Sequence, residues 1–174
     1  MRFAKLTLTT RRFPGLVATG VAVLALSACS SSSLPTLTGF AAVRDQAART
    51  ESAASDRATQ LAEVATDCAS CSAALRAVAA ASDERLEALG GLWDPWGGTP
   101  PEGASAPAAV SEAPTDVSAF VAWLARTATR DLEIAADTNR TSADEARTLS
   151  AAALGRYASA VTIAQAYGID LDAG

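Results

Sequence analysis

Histidine is absent from all 174 residues, and lysine occurs once, at Lys5. The first absence removes the commonest general base and the imidazole ligand on which many metal centres depend. Three cysteines are too few for a disulfide-dense scaffold, and eleven glycines with seven prolines are too few for a collagen-like chain. No apolar run is long enough for a multi-pass membrane protein. There is no Gly-rich phosphate loop and no serine paired with a base. Alanine is what abounds, at 43 residues, about half of the 49% apolar fraction. Alanine loses no side-chain entropy in a helix, so this composition predicts one domain of Ala-rich helices.

The N-terminus carries Arg2, Lys5, Arg11 and Arg12 with no acid, and an apolar run from Leu16 to Leu26 follows. That is the order of a secretory signal, and eleven residues are too few for a permanent membrane span. The sequence Leu26-Ser27-Ala28-Cys29 then resembles the lipobox of bacterial lipoproteins. The resemblance implies that signal peptidase recognises Leu26, Ser27 and Ala28 and cuts after residue 28. It also implies that the thiol of Cys29 carries a diacylglycerol, with palmitate-type acyl chains. Small side chains at 27 and 28 admit a peptidase, and a thiolate is nucleophilic enough to take the lipid. Pro14 and Gly15 break the twin-arginine pattern begun at Arg11-Arg12, which favours general secretory export.

The expected organisation is a signal peptide over 1–28, a lipidated polar tether over 29–39 and a helical domain over 40–168. Once the signal is removed, ten arginines face nineteen acids, a net charge of −9. Phosphate backbones and anionic headgroups repel such a surface, so nucleic-acid binding is excluded and membrane attachment rests on the lipid. The expected location is the outer, extracytoplasmic face of the cell membrane.

Within the domain, Phe40, Val43, Ala47, Ala54, Ala58, Leu61 and Ala65 recur at helical spacing. A second stripe runs through Cys71, Leu75, Val78, Ser82, Leu86 and Leu89 to the stop at Gly90-Gly91. A turn is expected between them, with Thr66, Asp67 or Ser70 as the N-cap of the second helix. Residues 93–114 hold five prolines and three glycines and read as a long loop. A third helix starts at Thr115 or Asp116 and presents Val117, Phe120, Val121, Leu124, Ala128, Leu132 and Ala135. A fourth starts at the Ser142–Glu145 capping box, presents Leu149, Ala152, Ala153, Tyr157, Ala160, Ile163, Ala164 and Tyr167, and ends at Gly168.

Two helical hairpins joined by one long connection give an all-α, ferritin-like four-helix bundle. In this respect residues 40–168 resemble the ferritin-like domains of unknown function in small secreted or lipid-anchored proteins of high-GC bacteria. Di-iron members of such folds need Glu-x-x-His pairs; with no histidine here, no metal and no cofactor is expected. Helices lined by small side chains approach to about 8 Å, leaving no internal room. The acid pairs Glu84/Glu87 and Asp131/Glu133 read as solvated faces.

Cys68-Ala69-Ser70-Cys71 is the one constellation with intrinsic chemistry. It reads as a structural disulfide pinning the turn between the first two helices; the alternative is a thiol-disulfide redox pair. Trp93 and Trp96 read as a lid over the bundle end, or else as contacts for a protein partner in the cell envelope. The expected role is therefore a non-catalytic binding or scaffolding module.

Overall fold

A computed structural model describes residues 36–98, 112–139 and 141–171. Leu26, Ser27, Ala28 and Cys29 lie outside the described residues, as do the centre of the 93–114 loop and most of the tether. The described residues form α1 (Gly39–Val64), α2 (Ala69–Ala88), α3 (Val117–Ala136) and α4 (Ala143–Tyr167), with no strand among them. The protein is an all-α four-helix bundle.

Each helix begins and ends where local chemistry dictates. The side chain of Asp116 caps α3 by accepting from the Ala119 amide at 2.8 Å. Ser142 and Glu145 form the expected reciprocal box at the start of α4. At the end of α2 the Gly90 amide donates to Glu87 O and the Gly91 amide to Leu86 O. Both glycines have positive φ, 90° and 75°, which only a residue without Cβ adopts readily. The expected turn between α1 and α2 is present at residues 65–68. Its cap differs from expectation: neither Thr66, Asp67 nor Ser70 serves, and Cys68 Sγ accepts from the Cys71 amide at 3.2 Å.

α1 packs along α2, α3 along α4, and the two hairpins meet chiefly through α2 and α4. The Ser72 hydroxyl donates to Ala62 O, which sets α2 antiparallel to α1. Near the other end, the Trp93 amide donates to Asp45 at the start of α1. Arg57, further along α1, donates to Ala113 O just before α3. The segment leaving α2 and the segment entering α3 thus lie at different heights on the bundle, as a two-hairpin bundle with a crossover requires.

Two apolar clusters fill the interior. The larger contains Ala54, Ala58, Leu61, Leu75, Val78, Phe120, Trp123, Leu124 and Ile163. The smaller contains Ala47, Ala48, Leu89, Ala135, Leu149 and Ala152. Fully burying a side chain such as Phe120, Leu124 or Ile163 contributes roughly 1.5–3 kcal/mol. Ile169 and Leu171, beyond the expected boundary at 168, also pack on the larger cluster. Tyr157, expected on the core stripe, is 44% exposed instead. Its place in the stripe falls to its neighbour Arg156, which has no exposed surface.

Candidate functional site

Between the two apolar clusters lies a layer of buried polar groups, one or two from each helix. Glu51 comes from α1, Ser82 from α2, Asp131 from α3, and Arg156 and Ser159 from α4, and they are joined by Arg85 of α2, whose side chain is 14% exposed. Arg156 Nε donates to Glu51 Oε1 at 2.9 Å and its Nη1 to Asp131 Oδ2 at 2.8 Å. Arg156 Nη2 also lies 2.8 Å from Glu51 Oε1, an ion-pair contact whose angle is outside hydrogen-bond geometry. Arg85 Nε donates to the other oxygen of Glu51 at 3.0 Å. Its Nη2 reaches Ser82 Oγ at 2.9 Å and Ser159 Oγ at 3.3 Å. Gly155 makes room for this crossing, because a Cβ there would stand 2.9 Å from Arg85 Cδ.

Two carboxylates and two guanidiniums make the layer neutral as a set. A guanidinium cannot discard its charge inside a protein, and an unpaired one would cost several kcal/mol to bury. Each member therefore depends on the others. Asp131 belongs to this layer and not to the solvated face expected for it, whereas Glu84 and Glu87 are exposed as expected.

The layout bears directly on metal chemistry. Carboxylate-bridged di-metal bundles place one carboxylate on each of two helices and an i, i+3 pair on each of the other two. Here Glu51 and Asp131 are the single carboxylates, and Ser82/Arg85 and Arg156/Ser159 are the i, i+3 pairs. The donor set does not fit a di-metal centre, because guanidinium groups stand between the carboxylates where cations would lie. Among the described residues no group of three or more metal-ligating side chains converges.

Cys68 and Cys71 are joined as a disulfide. Cys68 is the N-cap of α2 and Cys71 lies in its first turn, so the bond closes α2 on its own cap. It does not bridge α1 to α2; the hydrogen bond from Ser72 to Ala62 does that. A four-residue ring restricts the unfolded chain by only about 2 kcal/mol. Cys68 is half-buried and its sulfur lies 3.4 Å from the Ser70 hydroxyl. Cys71 is 4% exposed, with its sulfur 3.5 Å from the Ala166 carbonyl of α4. Nearby, Tyr167 packs against the larger cluster, and burial raises its phenol above the ordinary 10.0.

The tryptophans sit apart from both features. The Trp93 backbone is held on α1, its amide on Asp45 at 2.9 Å and its carbonyl on Arg49 at 3.4 Å. The Trp96 amide closes a turn on Asp94. Both side chains are half-buried. Beside them a surface groove of about 310 Å³ runs along α1, lined by Arg49, Asp56, Arg57, Leu92 and Glu112. Leu92 in this groove is 47% exposed.

Comparison with protein-family models, with curated proteins and with solved structures finds no match to this chain.

Proposed function

We propose that this chain is an exported lipoprotein, held at the outer face of the cell membrane by a lipid on Cys29. In this reading the interior of its bundle is non-catalytic, and the bundle serves as a rigid binding or scaffolding module. The anchor rests on the basic n-region, the short apolar run and Leu26-Ser27-Ala28-Cys29. No described helix is long and apolar enough to cross a membrane. The bundle itself would be a further member of the ferritin-like domains that residues 40–168 resemble.

One observation carries the non-catalytic reading: the centre of the bundle, where such folds hold cofactors, is closed by Arg156 paired to Glu51 and Asp131. Binding is thereby left to the surface. The groove between α1 and the loop combines charges of both signs with an exposed Leu92, the mixture found where protein interfaces have an apolar centre and a polar rim.

The test joins anchor and groove. In cells, Cys29→Ser should abolish palmitate labelling and move the protein out of the membrane fraction. A photo-crosslinker at position 92 should yield a discrete adduct with an envelope protein. One at the exposed position 64, at the far end of α1, should not. Retention of Cys29→Ser in the membrane overturns the anchor, and equal crosslinking at both positions overturns the groove.

A further inference from the structure

The two sulfurs of the disulfide stand in opposite surroundings. Cys68 faces donors, the Cys71 amide at 3.2 Å and the Ser70 hydroxyl at 3.4 Å, and it is only half-buried. It also sits at the positive end of a 20-residue helix. Cys71 is buried, and the neighbour of its sulfur is an acceptor, the Ala166 carbonyl at 3.5 Å. Donors and a helix N-terminus stabilise a thiolate; an acceptor stabilises a protonated thiol. Opening this bond would therefore leave a thiolate on the accessible sulfur and a thiol on the enclosed one.

We propose that Cys68 and Cys71 are a working thiol-disulfide exchange pair that oxidises dithiols in partner polypeptides. A substrate thiolate attacks Cys68 Sγ, the accessible sulfur. The bond to Cys71 breaks, and Cys71 leaves with the electron pair and takes up a proton beside Ala166 O. The second substrate thiolate then attacks the substrate sulfur of the mixed disulfide and expels Cys68 as a thiolate. Two electrons pass from the substrate, which becomes a disulfide, to the pair, which becomes a dithiol. A small-molecule disulfide restores the pair by the reverse exchange. With its sulfur held by the Cys71 amide at the N-terminus of α2, Cys68 is a good leaving group, which favours this direction. The activity is independent of lipid attachment and of the groove at Leu92.

The test uses the full chain with Cys29→Ser, so that Cys68 and Cys71 are the remaining cysteines. The probe is a synthetic peptide bearing two cysteines, with glutathione disulfide as the comparison oxidant. The oxidised protein should convert the peptide to its disulfide more than about tenfold faster than an equal concentration of glutathione disulfide. After reduction, iodoacetamide at neutral pH should modify Cys68 at least about tenfold faster than Cys71. Cys71→Ser, with its partner sulfur gone, should accumulate a mixed disulfide through Cys68 when offered the disulfide-linked dimer of a peptide bearing one cysteine, which has no second thiol to expel Cys68, and Cys68→Ser should accumulate none. Circular dichroism of both variants checks that the bundle is intact. Oxidation no faster than by glutathione disulfide, or alkylation of the two cysteines at equal rates, overturns the proposal.

Discussion

Arg156 shows how much one residue can determine in a core made of alanine. Its side chain is fully buried, and it is the group that joins α1 to α3 through Glu51 and Asp131. Replacing it with methionine keeps most of the volume but strands one of the two carboxylates. Glu51 retains Arg85, whereas Asp131 retains only a 3.5 Å contact to the half-exposed Arg130. Arg156→Met should therefore cost about 3–5 kcal/mol, read as a fall in the urea midpoint at unchanged slope. Adding Asp131→Asn removes the stranded charge and restores neutrality, since Glu51 and Arg85 still pair. The double variant should recover at least half of the loss. A single variant losing less than about 1 kcal/mol would mean that the pairs contribute nothing net.

At the scale of the element, α4 contains an interior glycine that helix propensity opposes. Gly155→Ala in an open helix gains about 1 kcal/mol. Here the added Cβ meets Arg85 Cδ, and Arg85 is fixed by Glu51, Ser82 and Ser159, so it has nowhere to retreat. The substitution should instead destabilise by about 1–3 kcal/mol. In an Arg85→Ala background the same substitution should be neutral or stabilising, a coupling of at least about 1 kcal/mol in a double-mutant cycle. Stabilisation by Gly155→Ala with Arg85 in place would contradict the packing. Helix ends were the most legible part of this chain, because caps are local. Asp116, the Ser142–Glu145 box and Gly90-Gly91 each act within a few residues of themselves. The cap of α2 was not legible, because sulfur is a weaker acceptor than the oxygens of Thr66, Asp67 and Ser70. The disulfide to Cys71 holds Cys68 Sγ at the cap position in their stead.

At the scale of the whole molecule, the spacing of apolar residues revealed the four helices and their pairing, but it concealed the layer that joins them. Glu51, Asp131 and Arg156 all fall on helical stripes, at three- and four-residue steps from Ala47 and Ala54, from Ala128 and Ala135, and from Ala152 and Ala160. Taken singly, each is an ordinary solvated charge; each becomes a core residue only when the others arrive from different helices. Two guanidiniums flanked by two carboxylates occupy the layout that di-metal bundles use, and this correspondence can be tested by exchange. Ser82→Glu with Arg85→His on α2, and Arg156→Glu with Ser159→His on α4, would complete a set of four carboxylates and two imidazoles around Glu51 and Asp131. Without metal that chain buries four like charges, so it should unfold at lower urea than the parent. Metal that binds the folded form alone would reverse the loss, by about 2.7 kcal/mol at a concentration some hundredfold above Kd. Manganese or cobalt titrated into the quadruple variant should raise its midpoint and leave the parent, with its arginines in place, unmoved. If neither chain responds, the central layer shares only its helix-by-helix spacing with a metal site and not its geometry.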